Sequence, residues 1–131
     1  MHMQGEPRTM QQDPHYDDVV AEVTAFLEER AAEGRAAGVS EVWIDPGIGF
    51  GKASAHNLSL LRHLPTLVAT GLPVVVGTSR KSFLGSLVGG ADADDRLEGS
   101  VATAVWAAEK GVAMVRVHDV VATVQSMKVV G

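Results

Sequence analysis

Three short runs of β-branched and apolar residues lie along the chain, and glycine or charged residues follow each of them. The runs are Val42–Ile44, Val74–Val76 and Met114–Val117. They start at positions 42, 74 and 114, so consecutive starts lie 32 and 40 residues apart. This spacing is typical of βα units, in which a helix carries the chain from one parallel strand to the next. The first two runs are continuously apolar, which predicts strands covered on both faces.

Four further stretches have helical patterns. Apolar residues form one stripe between Tyr16 and Ala37, and leucines recur at helical spacing between Asn57 and Leu64. Pro65 follows that second stretch and predicts a kink or a restart of the helix. An alanine-rich helix is expected over Arg96–Lys110 and a closing helix over Val120–Val129. The order of elements predicts an α/β chain with right-handed crossovers between parallel strands.

The composition excludes several classes of protein and site. The chain has 131 residues, 46% of them hydrophobic, which suits one domain over residues 1–131 with its own core. It has no cysteine, so disulfides and thiolate metal sites are excluded. The net charge of −5 argues against nucleic acid or a membrane surface as a partner. The sequence also lacks the run of about 18 apolar residues that a transmembrane helix needs, so we expect a cytoplasmic protein.

The first motif is the glycine-rich segment Asp45–Lys52, which leaves the first predicted strand. Its three glycines at alternate positions allow the backbone to approach a ligand closely. Asp45 at the end of the strand can accept two hydrogen bonds from an amino-pyrimidinone edge. An Asp-Pro turn with glycine spacers accounts for the same residues, and the spacing alone does not decide between the two interpretations.

The second motif, Gly77–Ser82, follows the second strand and leads into a predicted helix. Hydroxyl groups, two adjacent cations (Arg80 and Lys81) and a helix start together favour the binding of an anion. The alternative is a helix capped by Thr78 or Ser79, with the two cations in solvent. Capping explains the hydroxyls, but cations at the positive end of a helix dipole are mildly unfavourable.

The third motif, Arg116–Asp119, ends the last strand. Strand alternation predicts that Arg116 and His118 share one face. An arginine directed into a barrel requires an anionic ligand or a carboxylate partner, so an internal pair with an aspartate remains an equal alternative.

The remaining histidines and Ser79 carry weaker signals. No group of residues has the spacing of metal ligands, so no metal site is predicted within the chain. Ser79 has no partner in its neighbourhood in the sequence that marks it as a nucleophile. Four histidines are predicted to be solvated or to cap a helix: His2, His15, His56 and His63.

The motifs resemble those of the dihydropteroate synthases in both order and spacing. The matching segments are Asp45–Lys52, Gly77–Gly85, Gly99–Ala104 and Arg116–Val120, and Met1–Gln11 is similar to the segment that leaves barrel strand five in that family. The resemblance implies a (β/α)8 TIM barrel. It also implies that this chain holds only about the last three to four βα units, a partial barrel.

The resemblance further implies a transferase of folate biosynthesis. Such an enzyme joins 6-hydroxymethyl-7,8-dihydropterin diphosphate to p-aminobenzoate and releases 7,8-dihydropteroate and diphosphate. The resemblance assigns pterin and diphosphate chemistry to four residues: Asp45, Lys81, Arg116 and His118. The resemblance assigns other substrate contacts to five residues, of which the first three line the pterin pocket and the last two face p-aminobenzoate: Met3, Phe50, Gly77, Ser79 and Arg80.

The resemblance also implies a cofactor and a partner. The cofactor is Mg²⁺. The asparagine that is linked to this ion in the family follows barrel strand one and is not in this chain. The partner is a second copy of the chain in a homodimer. Two other functions remain open on the residues alone. One is a pterin-binding methyltransferase of the methyltetrahydrofolate–corrinoid type. The other is a non-catalytic half-barrel that associates with itself.

Overall fold

Six α-helices and two short strands follow one another in the computed structural model, which describes residues 1–131. The strands are β1 (Val75–Val76) and β2 (Met114–Val115), and a 3₁₀ turn covers Ala93–Asp95. The helices are α1 (Val19–Ala36), α2 (Ser54–Arg62), α3 (Leu64–Val68), α4 (Ser82–Leu87), α5 (Leu97–Glu109) and α6 (Val120–Val130).

The strand segments lie side by side in the order of the sequence. β1 and β2 are parallel, with Val75 opposite Met114. A parallel bridge joins Ile44 to Val74 on the other side of β1. Beyond Ile44, the amide of His2 donates to the carbonyl of Asp45 over 3.0 Å. The chain therefore forms neighbouring segments of one parallel sheet, with the ends of its strands on a common edge.

The strands are shorter than the sequence predicted. The run Val42–Ile44 contributes one bridge instead of a strand. Pro46 lies two residues after Ile44, and Pro73 directly precedes Val74, to which Ile44 is bridged. Neither proline has a backbone N–H group with which to extend the ladder.

The helices agree closely with the predicted ones. Asp18 caps α1 by accepting hydrogen bonds from the amides of Val20 and Ala21. α2 ends before His63, and α3 begins with Pro65 in its first turn, so the predicted restart at this proline is confirmed. The 3₁₀ turn lies in the glycine- and aspartate-rich segment between α4 and α5.

The core lies between the strands and helices α1 to α3. Val23 and Leu27 of α1 are buried against the leucines of α2 and α3 and against Val74 and Val76. Thr123 is the only buried residue of α6, whose valines are exposed. None of the six helices combines the length and the apolar character that crossing a bilayer requires. The second half of the fold therefore presents apolar surface that the core of this chain does not cover.

Glycine is required where the N-terminal segment crosses the loop after Ile44. A Cβ atom on Gly47 (φ +68°) would lie 1.8 Å from the carbonyl oxygen of His2. One on Gly51 (φ +64°) would lie 2.2 Å from the carbonyl oxygen of Gln4. The backbone of residues 2–4 thus rests directly on this loop, and it can do so only because both positions lack a side chain.

We expect the substitution Gly47→Ala to lower the free energy of unfolding by about 3 kcal/mol or more, since it adds a backbone collision to the cost of a left-handed alanine. The matched control is Gly71→Ala, because Gly71 also has a positive φ (+76°) but has no atom near the new Cβ. The control should lose only about 1 kcal/mol. Urea unfolding measures both values, and equal losses would show that the close approach of His2 does not matter.

Candidate functional site

A cavity of about 210 Å³ opens at the C-terminal ends of the strands. It is smaller than the roughly 300–1,000 Å³ of a complete small-molecule pocket. Six of the nine residues that the resemblance assigned to substrates line it: Phe50, Gly77, Ser79, Lys81, Arg116 and His118. The three predicted motifs therefore meet at one place, although they are far apart in the sequence.

Asp45 is buried next to this cavity and is held from two sides. Its Oδ1 accepts a hydrogen bond from the amide of Gly47 at 2.8 Å, and its Oδ2 accepts one from Nη1 of Arg116 at 3.1 Å. The predicted alternative of an internal arginine–aspartate pair is thus what the structure contains. The side chain of Arg116 is nevertheless 57% exposed, so it retains donors that an anion can reach. The pair orients both groups without using all of their hydrogen-bonding capacity.

Lys81 lies over the ring of Phe50, with Nζ 3.9 Å from the ring centroid. This is a cation–π contact between the second motif and the glycine-rich loop. Burial is the main cause that lowers the pKa of Lys81, and the charge of Arg116 lowers it further, while Asp45 opposes both. The two cations therefore stand close enough to influence each other and to act on one ligand.

Ser79 is paired with His118 and does not cap a helix. Nδ1 of His118 lies 2.9 Å from Oγ of Ser79, which also accepts the amide of His118 at 3.1 Å. α4 begins at Ser82 without a side-chain cap, and Oγ1 of Thr78 accepts a hydrogen bond from Thr103. The alternative interpretation of Thr78 and Ser79 as helix caps is therefore wrong. The serine's partner lies 39 residues away, which is why the local sequence did not reveal it.

Besides Asp45, two assigned residues do not line the cavity. The guanidinium of Arg80 donates to both carboxylate oxygens of Asp119, at 3.2 and 2.8 Å, and lies 3.5 Å from Asp94. This hydrogen bonding lowers the pKa of Asp119 and raises that of Arg80. Met3 is half-buried in the N-terminal segment that crosses the glycine-rich loop. Both residues belong to the surroundings of the cavity as the structure stands.

The structure also reveals a buried basic pair that the sequence analysis missed. Lys52 is 3% exposed, and its Nζ lies 2.9 Å from Nδ1 of His2 and donates to the carbonyls of Gly47 and Phe50, each at 3.0 Å. Burial lowers the pKa of Lys52 to about 8. The lysine therefore ties together both sides of the glycine-rich loop. Its position directly after three spaced glycines was the available signal.

His2 is buried, so the prediction that it is solvated is wrong. Its ring lies edge-on to Phe26 with 5.0 Å between centroids. Burial first, and then the charge of Lys52, lower the pKa of His2 to about 4. The predictions for the other three histidines are confirmed: His15 and His63 are exposed, and His56 accepts the amide of Ala53 at the start of α2.

The described residues do not fit the Mg²⁺ that the resemblance implies. They contain no group of three or more histidine, cysteine, aspartate or glutamate side chains that could hold a metal ion. Mg²⁺ prefers an octahedron of oxygen ligands. The carboxylate of Asp45 already binds Arg116, and the cavity beside it is lined by cations. The charge of this site suits an anion.

Comparison with known proteins identifies the family. The family model described as "Pterin binding enzyme" matches residues 1–118. The chain belongs to this family. A curated dihydropteroate synthase from Neisseria meningitidis serogroup B is 52% identical to it over 134 residues, which cover 98% of this chain and 47% of the relative.

Solved structures of pterin-binding enzymes superpose closely on the chain. Dihydropteroate synthase from Thermus thermophilus in complex with 6HMPPP has a TM-score of 0.93 and 50% identity, over 98% of this chain and 51% of that one. The same enzyme in complex with 4-aminobenzoate has a TM-score of 0.91 and 51% identity, over 95% and 51%. The chain thus spans about half the length of the relatives that it matches. The likeness confirms the predicted fold class, a partial barrel of the (β/α)8 type.

We expect the free energy of unfolding to fall as the pH is lowered from about 6.5 to about 4. The pKa of His2 is about 4 in the folded chain against an ordinary value of 6.5, so in this window the unfolded chain binds a proton that the folded chain does not. Urea unfolding at several pH values measures the effect. The variant His2→Gln should lose this part of the pH dependence, and His63→Gln, at an exposed position, should keep it. Identical slopes for His2→Gln and the unmodified chain would contradict the assignment.

Proposed function

We propose that this chain forms the pterin- and diphosphate-binding part of a dihydropteroate synthase. The observation that carries the proposal is the arrangement around one cavity of a fixed carboxylate, Asp45, and two cations, Lys81 and Arg116. Such a site can hold a polar heterocycle by its edge and an anionic leaving group at the same time. Membership in the pterin-binding family supports the choice of heterocycle.

Asp45 and the contact between Phe50 and Lys81 are proposed to hold the pterin ring. The Oδ1 and Oδ2 atoms of Asp45 are directed by Gly47 and Arg116, so the carboxylate does not rotate freely. A fixed carboxylate accepts hydrogen bonds from an amino-pyrimidinone without a cost for ordering the group at the moment of binding. Gly77 leaves room beside it, because a Cβ there would lie 2.7 Å from Nη2 of Arg116.

Arg116, His118 and Lys81 are proposed to stabilise the leaving diphosphate. The reaction breaks the bond between the pterin methylene carbon and the diphosphate oxygen, and the electron pair of that bond leaves with the oxygen. Negative charge therefore grows on the diphosphate in the transition state. The cations Arg116 and Lys81 and a hydrogen bond from the ring of His118 stabilise this charge there more than in the ground state. The amine of p-aminobenzoate then bonds to the methylene carbon and loses a proton, so no covalent intermediate with the enzyme is required.

Ser79, Arg80 and Met3 are proposed to complete the substrate contacts. Ser79 lines the cavity and is hydrogen-bonded to His118, while the side chain of Arg80 is directed at Asp119. The cavity is incomplete, since the matched relatives are about twice as long as this chain. The remaining pterin contacts and any ligand for Mg²⁺ are proposed to come from the other half of the barrel. A cytoplasmic location and a single domain over residues 1–131 remain predictions.

A second candidate function is self-association, with or without catalysis. α6 exposes Val121 by 72% and Val129 by 85%, and β2 pairs with β1 on one side only. An exposed apolar helix and an unpaired strand edge both favour association. We propose a homodimer that covers this surface.

Loss of the proposed pterin contacts should abolish most of the activity. We expect Asp45→Asn and Lys81→Met to lower the formation of dihydropteroate by about 10- to 100-fold, since each removes a charge-assisted contact. The assay supplies the dihydropterin diphosphate and p-aminobenzoate to the chain, alone and joined to the N-terminal half of the Neisseria meningitidis relative.

The matched control is Lys110→Met. Lys110 also lies over an aromatic ring, that of Trp106, with Nζ 4.2 Å from the centroid, but does not line the cavity. This variant should retain the activity. Normal rates in Asp45→Asn and Lys81→Met would mean that the site is wrongly assigned. Methyl transfer without release of diphosphate would favour the corrinoid methyltransferase instead.

The proposed association predicts an oligomer in solution. Light scattering coupled to size exclusion should give at least twice the mass of 13.8 kDa. The substitution Val121→Lys should shift the equilibrium to the monomer, because it places a charge in the apolar contact. Val39→Lys, at an exposed valine outside α6, is the control and should leave the mass unchanged. A folded, monodisperse monomer of the unmodified chain would rule out the self-associating half-barrel.

A further inference from the structure

Arg80 has a strained backbone at the centre of the second motif. It is the only residue other than glycine with a positive φ, at +58°. The left-handed conformation is sterically unfavourable for any residue with a side chain, and it persists only where the surroundings hold it. Its two neighbours, Ser79 and Lys81, both line the cavity, whereas the side chain of Arg80 is directed away from it at Asp119. The positive φ therefore occurs at the residue whose side chain points away from the cavity, between two residues whose side chains line it.

Two residues at the start of α5 hold the backbone of Arg80. Its amide donates to Oγ of Ser100 at 2.9 Å, and its carbonyl accepts from Nη1 of Arg96 at 2.9 Å. Oγ of Ser100 in turn donates to the carbonyl of Arg96 at 2.6 Å. Both the N–H and the C=O group of Arg80 are thus hydrogen-bonded, by Ser100 and Arg96, which are one helical turn apart and are themselves hydrogen-bonded to each other. Ser100 is 3% exposed, so water cannot easily replace its oxygen.

Arg96 is itself firmly held. Its Nε donates to the carbonyl of Ala91 at 2.8 Å, so one guanidinium joins the connector after α4 to the carbonyl of Arg80. The space is tight, because a Cβ on Gly85 would lie 2.6 Å from that Nε and 2.3 Å from the carbonyl oxygen of Ala91. Arg96 therefore has little freedom to let the Arg80 carbonyl rotate.

We propose that Arg96 and Ser100 are positioning residues of the substrate site. By holding Arg80 in the left-handed conformation, they direct the side chains of Ser79 and Lys81 into the cavity. This inference rests on the proposed function, in which Lys81 contacts the pterin. Neither Arg96 nor Ser100 lines the cavity with Lys81, so they act through the backbone of the second motif.

The test is a double-mutant cycle in the full chain, with the affinity for 6-hydroxymethyl-7,8-dihydropterin diphosphate measured by calorimetry. Ser100→Ala should weaken binding about 5- to 10-fold, because the left-handed arginine loses one of its two backbone partners. Glycine adopts positive φ without this cost. Ser100→Ala should therefore have little effect on affinity when it is made in the background of Arg80→Gly. A loss of affinity that is equal in both backgrounds would overturn the proposal.

Two controls separate positioning from general destabilisation. Ser86→Ala also removes a serine hydroxyl that donates to a carbonyl one turn back, at an exposed position of α4, and it should leave the affinity unchanged. Arg96→Met provides a second route to the same effect if Ser100→Ala fails to fold. Thermal unfolding confirms that each variant is folded.

Amide hydrogen exchange separates this proposal from the proposed function. If the unmodified chain does not bind the pterin compound, the assignment of function fails, and exchange at Arg80 still decides the positioning. Exchange at the Arg80 amide should accelerate in Ser100→Ala, and the Lys81 resonances should shift in both Ser100→Ala and Arg96→Met. Unchanged exchange and unchanged Lys81 resonances would overturn the positioning role.

Discussion

The ion pair between Asp45 and Arg116 joins the end of the first strand segment to the end of the last one. Their atoms meet at 3.1 Å across 71 positions of sequence. Arg116 is more than half exposed, so the pair adds at most about 1 kcal/mol to stability. Its importance is geometric. It fixes the direction of the one carboxylate at the cavity and holds a cation beside Lys81, so that a polar ring and an anion find complementary groups close together.

The glycine-rich loop can present Asp45 only because a buried lysine supports it from behind. Lys52 binds two carbonyls of the loop and the ring of His2, and the N-terminal segment lies over Gly47 and Gly51 where no side chain is tolerated. Burying an amine is costly unless its donors are satisfied, and here three partners satisfy them. Burial still disfavours the charged form of the amine, as the lowered pKa of Lys52 shows. The same principle of support from outside the cavity applies to Arg80, whose strained backbone depends on α5.

Much of the fold could be predicted, because its elements are determined locally. Helix boundaries near Ala36, Arg62 and Glu109 follow from apolar periodicity, from glycine and from Pro65, all of which act within one or two turns. The strands were predicted in the right places but too long. Each further residue of a parallel ladder needs a backbone N–H that can donate to the neighbouring strand, and Pro73 has none. His2 was predicted as solvated because its burial depends on Phe26 and Lys52, and nothing near it in the sequence indicates either contact.

The linear order of residues was enough to establish which chemical groups are available and that they leave parallel strands at a common edge. The succession of the Asp45, Arg80–Lys81 and Arg116–His118 motifs was sufficient to indicate the family. The pairings came from tertiary packing: Arg116 with Asp45, Ser79 with His118, and Arg80 with Asp119 instead of the cavity. Each of these contacts spans at least 39 positions. Hydrogen bonds act only over about 3 Å, so packing alone brings such partners together, and a linear pattern cannot choose among the carboxylates and hydroxyls available.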